Sequence, residues 1–136
     1  MTFLDSSVII HYLDNTDHVV RYVDDETTPP YFTSALCIYE VLMGAVHTPG
    51  NTDLRGERSQ FDWVNSLELN EGIAVEGARI QDELKEAGDL LSPRDALIAA
   101  TARSTGNELV VADGDFDTDR LRKILSVTAL DDPTEA

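Results

Sequence analysis

Short apolar runs alternate along this chain with longer stretches in which apolar residues recur at helical spacing. Thr2-Phe3-Leu4-Asp5 reads as a brief extended segment closed by an acid. Ser6 and Ser7 offer N-caps to an apolar helix over 8–13, and a second helix fits 17–26, with Val19, Val20 and Val23 at helical spacing. Thr28-Pro29-Pro30 breaks that helix. Tyr31-Phe32 is a short strand, and Thr33 or Ser34 caps a strong helix over 34–46. After the loop Thr48-Pro49-Gly50-Asn51, residues 53–66 read as a helix carrying Leu54, Phe61, Trp63 and Val64. Leu67-Glu68-Leu69 is a weak strand. Asn70 caps a helix over 71–87 that Gly88 closes. Ser92-Pro93-Arg94-Asp95 opens the next helix with a cap, a proline at the first helical position and an acid three residues after the cap. Gly106-Asn107 ends it. Leu109-Val110-Val111-Ala112 is a buried-type strand, Asp113-Gly114-Asp115 a turn, 117–124 a short helix and 127–130 a final strand.

Strands that alternate with helices in this way predict an α/β fold: a central parallel sheet of about five strands with helices on both faces. The 136 residues suit one domain over 1–130, followed by a polar tail over 131–136. A hydrophobic fraction of 42% is enough for a real core. The single cysteine, Cys37, excludes an intramolecular disulfide framework and a Cys-rich zinc site. No apolar run approaches the roughly 18 residues that a membrane helix needs. The N-terminus has no basic segment of the kind that begins a secretory signal, so a cytoplasmic protein is expected.

Charge changes the picture. There are 26 acidic residues against 10 basic ones, a formal −16, and only Lys85 and Lys123 are lysines. A generic nucleic-acid binder carries a basic footprint, so this balance argues against simple charge attraction to a polyanion. Two readings of that balance are open: a well-solvated acidic protein of an ordinary cell, or a halophilic cytoplasm, where concentrated salt screens self-repulsion and which the Asp-rich, Lys-poor surface fits better.

With so many acids, position is what discriminates. Asp5 ends the first strand, where ligands bind in open α/β sheets; the alternative is that it caps the following helix. Glu40 has Leu36, Cys37, Met43 and Gly44 as helical neighbours. A carboxylate there is costly unless it binds something, faces solvent or pairs with an arginine. Asp95 sits in a first helical turn, where it either completes a capping box with Ser92 or serves a site. Asp113 follows a strand and Asp115 comes two residues later; the alternative for the pair is an Asp-Gly turn. If these acids converge, they repel one another unless a cation intervenes, and a hard divalent ion such as Mg²⁺ suits oxygen ligands. His11, His18 and His47 show no ligand spacing.

Four segments carry a resemblance to a known family. Phe3-Leu4-Asp5-Ser6-Ser7-Val8-Ile9-Ile10, Ile38-Tyr39-Glu40-Val41-Leu42-Met43-Gly44, Asp95-Ala96-Leu97-Ile98-Ala99-Ala100-Thr101-Ala102 and Val110-Val111-Ala112-Asp113-Gly114-Asp115-Phe116 resemble, in order, the motifs of PIN-domain ribonucleases, specifically the VapC-type toxins of toxin–antitoxin systems. Val111 stands where many relatives carry a hydroxyl residue. The resemblance implies a single PIN-like domain that cuts RNA in a metal-dependent way. Asp5, Glu40, Asp95 and Asp113 would be catalytic and would hold Mg²⁺ or Mn²⁺, with Asp115 as a further ligand. Ser7 would position Asp5 or a substrate phosphate. Arg94 would contact the RNA backbone, with Arg79 and Arg103 as lesser candidates. The implied partners are an RNA substrate, a cognate antitoxin and a second copy in a homodimer. Two other readings remain open: a housekeeping RNA-processing nuclease, and an inactive module that binds RNA or a partner.

Overall fold

The computed structural model describes residues 1–112 and 119–130. Asp113, Asp115, the start of the 117–124 helix and the 131–136 tail lie outside the described residues. The elements run β1 (Thr2–Leu4), α1 (Ser6–Leu13), α2 (Asp17–Glu26), β2 (Tyr31–Ser34), α3 (Ala35–Val46), α4 (Leu54–Ser59), β3 (Val64–Leu67), α5 (Glu71–Lys85), α6 (Pro93–Thr105), β4 (Glu108–Val111), α7 (Asp119–Ile124) and β5 (Val127–Ala129). The strands form one sheet in the order β3-β2-β1-β4-β5, and every pairing is parallel. The chain winds outward from β1 to β3, then returns to lay β4 on the other side of β1. The winding direction therefore reverses between β1 and β4, the place where open α/β sheets hold ligands.

Period-two alternation along the strands divides the core into two layers. Phe3, Leu109 and Val111 face one layer, with Ile73, Ile80 and Leu84 of α5, Ile98 and Ala99 of α6 and Leu121 of α7. Leu4 and Val110 face the other, with Val8 and Ile9 of α1, Val19 and Val23 of α2 and Val41 of α3. Each central strand is thus buried on both sides, which is why these strands read as unbroken apolar runs.

Local signals hold at most element ends and fail at three. Of the caps the sequence offered for α1, Asp5 is the one used, its side chain accepting from Ser7 N at 3.2 Å. The strand β2 continues through Thr33 and Ser34, two buried polar residues that satisfy their hydroxyls locally. Thr33 Oγ1 donates to Leu4 O at 2.7 Å, and Ser34 Oγ caps α3 by accepting from Leu36 N. The expected helix over 53–66 ends at Ser59, and the expected strand over 67–69 lies earlier, as β3. The apolar residues that suggested one long helix are divided between different tasks. Phe61 is buried, Trp63 packs against Tyr12 and Tyr31 with ring centroids 5.0 and 5.3 Å away, and Val64 pairs with Tyr31 in the sheet. Arg58 ties the turn by donating to Phe61 O at 2.7 Å and Val64 O at 2.8 Å.

The α5–α6 contact presses Gly77 against Ala96 and Ala100. A Cβ at Gly77 would meet Ala96 O and Leu97 Cδ2 at 3.6 Å, ordinary van der Waals distances. Gly77→Ala should therefore gain helix propensity without a clash and stabilise the fold by about 0.5–1 kcal/mol. Thermal melting checks this, and a lower melting temperature would refute it.

The same helix pair is bridged by Arg103, which contacts Glu76 and Glu83 at 2.6 Å each. The Arg103 hydrogen bond, above all, holds the Glu76 carboxyl below its ordinary value of 4.5, with partial burial opposing it. A depressed folded-state pKa stabilises above the unfolded value, and the gain is lost as pH falls through the folded one. The melting-temperature advantage of the parent over Glu76→Gln should thus be complete above pH 5 and shrink as pH drops below about 4.5.

Candidate active site

The starts of two helices, α1 and α6, and the middle of a third, α3, meet beyond the carboxyl end of β1. Asp5 follows β1 directly, its N–H donating to Val110 O at 3.0 Å, so the β1–β4 ladder itself fixes its position. Its side chain is fully buried. Oδ2 accepts from Ser7 Oγ at 2.6 Å and from Ser7 N; Oδ1 faces Arg94 Nη2 at 3.3 Å and Cys37 Sγ at 3.8 Å. Burial and then the nearby Asp5 charge push the Cys37 thiol up to about 12, so it stays a neutral donor at neutral pH. Ser7 Oγ in turn accepts from Ala112 N at 3.0 Å. One hydroxyl thereby links the ends of β1 and β4 and holds Asp5 still. Of the two roles expected for Ser7, positioning Asp5 is the arrangement present.

Glu40 projects from the middle of α3. The sequence suggested a buried acid among apolar neighbours; the side chain is instead 26% exposed and paired. Arg94 Nε donates to Oε2 and Nη2 to Oε1 (2.7 Å), a forked pair, while Ser6 Oγ donates to Oε1 at 2.9 Å. Of the possibilities open for this position, pairing with an arginine is the one the fold adopts. Its partner lies 54 residues away, beyond the reach of helical spacing.

Asp95 sits in the first turn of α6. Half of the expected capping box forms, Ser92 Oγ accepting from Asp95 N at 3.2 Å. The Asp95 carboxylate turns to Arg94 Nη1, 2.6 Å away.

Arg94, expected at the RNA backbone, is thus the hub of the cluster: it touches Asp5, Glu40, Asp95 and, through Nη2, Ser6 Oγ at 3.0 Å. Hydrogen bonding to Glu40 is the leading cause that raises the Arg94 pKa, and burial opposes it. One guanidinium stands against three carboxylates, so the described cluster remains net negative. Among the described residues, no three His, Cys, Asp or Glu side chains are arranged to hold a metal ion. The other two arginines singled out pair elsewhere: Arg79 contacts Glu76, and Arg103 bridges Glu76 and Glu83.

Asp5, Glu40 and Asp95 are therefore brought together; Asp113 and Asp115 lie outside the described residues. Sequence reasoning missed Ser6, treated only as a cap, and Cys37, treated only as an unpaired cysteine. Ser6 had one signal, its place beside Asp5 at a strand end. Cys37 had one too, since it lies three residues before Glu40 and shares its side of α3. A separate cavity of roughly 420 Å³ opens between α1, α3 and α4, lined by Ile10, Val41, Pro49, Asp53 and Glu57 among others. None of the clustered acids lines it.

The family model described as PIN domain matches residues 2–120. Among solved structures, the chain is similar to one in a toxin–antitoxin complex from Klebsiella pneumoniae, at TM-score 0.73 and 21% identity over 94% of this chain and 96% of that one. It is similar to a chain of VapBC-1 from nontypeable Haemophilus influenzae, at TM-score 0.75 and 22% identity over 95% and 97%. It is also similar to a chain of FitAcB from Neisseria gonorrhoeae, at TM-score 0.77 and 22% identity over 93% and 96%. No curated protein matches the sequence significantly. With a family model covering most of its length and a sheet of the matching fold, the chain belongs to the PIN domain family.

Proposed function

We propose that this PIN domain is a divalent-metal-dependent endoribonuclease and the toxin of a toxin–antitoxin pair. The observation that carries the reading is the convergence of Asp5, Glu40 and Asp95 on a single cation at the sheet's switch point. Three carboxylates aimed at one positive group are a hard-oxygen donor set, which fits Mg²⁺ or Mn²⁺ and not a thiolate or imidazole metal. Asp5, Glu40 and Asp95 would hold the ion, with Asp113 and Asp115 completing the set. Bound there, the ion would supply a more acidic water and charge stabilisation at phosphorus.

The chain's own residues account for the rest. Ser7 fixes the Asp5 carboxylate, and Ser6 orients Glu40, so two acids are locked before substrate arrives. Arg94 brings a forked donor to the same place, suited to phosphate oxygens. The acidic surface of the chain disfavours a polyanion at long range, so recognition rests on RNA shape and unpaired bases. The similarity to chains of toxin–antitoxin complexes supports a cognate antitoxin as partner. A homodimer and a cytoplasmic location belong to the same reading; no described helix is long and apolar enough to cross a membrane.

The test is cleavage of structured RNA with Mg²⁺, with Mn²⁺ and with EDTA, each in low and molar KCl. Cleavage should require the divalent ion and leave 5′-phosphate ends. No cleavage of any RNA in any of these conditions would leave a binding module in place of a nuclease.

A further inference from the structure

Arg94 occupies an unusual place for a cation. It lies in the first turn of α6, where unpaired backbone N–H groups form the positive end of the helix and disfavour a positive side chain. Its position is therefore stabilised by groups from elsewhere: Asp5 after β1, Ser6 in α1, Glu40 in α3 and its own neighbour Asp95. All three guanidinium nitrogens donate into this cluster. The side chain is nonetheless 30% exposed, so one edge faces water and a route outward is open.

The geometry also limits what else can enter. A guanidinium spreads its donors over a plane, and the carboxylates are disposed around it, Glu40 on Nε and Nη2, Asp95 on Nη1 and Asp5 on Nη2. A divalent ion needs its oxygens about 2.0–2.1 Å from a single point. In the observed arrangement the acids are disposed around the guanidinium and not around one point, in keeping with the lack of a metal-ready group among the described residues.

We propose that Arg94 is the resident counter-cation of this acid cluster, and that its guanidinium and a divalent ion are mutually exclusive occupants. Entry of the ion expels Arg94 and lets the carboxylates close. The freed guanidinium then stands at the rim of the site, free to meet a substrate phosphate. The inference rests on the metal-dependent reading above and adds a built-in competitor to it. Since expelling Arg94 has a cost, the parent chain binds the ion more weakly than its acids alone would.

Mn²⁺ binding measured by calorimetry without RNA, on the full chain, tests this. Arg94→Met should bind Mn²⁺ about tenfold or more tightly than the parent and, in EDTA, melt at a lower temperature. Arg103→Met removes another ion-paired arginine, away from the site; it should lose stability too but keep the parent's Mn²⁺ affinity. In case Arg94→Met does not fold, ¹⁵N spectra of the parent provide a second measurement: the Arg94 Nε–H signal should shift on saturation with Mg²⁺. Equal or weaker Mn²⁺ binding by Arg94→Met, or an Arg94 Nε–H signal that Mg²⁺ leaves unchanged, would overturn the competition alone. If none of the proteins binds Mn²⁺ or Mg²⁺, the metal-dependent reading falls together with it.

Discussion

Glu40→Ala should cut RNA about 100-fold or more slowly than the parent in Mn²⁺, and yet remain folded. Both halves follow from where Glu40 stands. Its carboxylate is the only one that α3 brings to the cluster among the described residues, and it takes two of Arg94's donors. Removing it deletes one oxygen-bearing arm of the proposed ion site and unlocks Arg94. The side chain is a quarter exposed, though, and the residue is not part of either core layer, so truncation opens no cavity. Initial cleavage rates on one RNA, set beside circular dichroism melts of both proteins, separate the two effects. Equal rates for parent and Glu40→Ala would remove this residue from the mechanism. A variant that is inactive only because it is unfolded would show itself in the melts.

A comparable loss, in stability instead of rate, is expected from Phe3→Ala. Phe3 is fully buried in β1, paired in register with Phe32 on one side and Leu109 on the other. Its ring packs into the layer shared by α5, α6 and α7. Deleting a fully buried ring from a central strand costs about 3–5 kcal/mol, through lost transfer energy and the cavity left behind. Small domains are stable by only about 5–15 kcal/mol, so the variant should lie near its unfolding threshold. Urea unfolding at matched KCl concentration gives the difference directly; a loss below about 1 kcal/mol would mean that the layer collapses to fill the gap. The consequence reaches the site, because Asp5 follows β1 by one residue and is held by the β1–β4 ladder.

Much of this molecule was legible in its residues because the signals were local. The unbroken apolar runs of β1 and β4, the Ser92-Pro93 helix start and the left-handed Gly106 at the end of α6 each depend on only a few neighbours in sequence. The reading failed where a choice depended on distant partners. Phe61, Trp63 and Val64 have spacing compatible with a helix, and only pairing with Tyr31 and stacking on Tyr12 make that segment a turn and an edge strand. Thr33 and Ser34 were read as helix caps; Ser34 is one, and both also extend β2, the Leu4 carbonyl and Leu36 N–H satisfying their hydroxyls.

For the site the division is sharper. Sequence alone singled out Asp5 at a strand end, Glu40 amid apolar residues, where a carboxylate is costly unless satisfied, and Asp95 at a helix start, with Asp113 and Asp115 outside the described residues. What it left open was whether each acid caps, pairs or binds, because those choices are made by groups far along the chain. Asp5 does two of these at once, capping α1 and facing Arg94, and Glu40 finds its partner across 54 residues. That Arg94 turns inward to the acids and not outward to solvent is set by the fold alone: only the stacking of β1, α3 and α6 brings enough negative charge together to hold a cation at the wrong end of a helix.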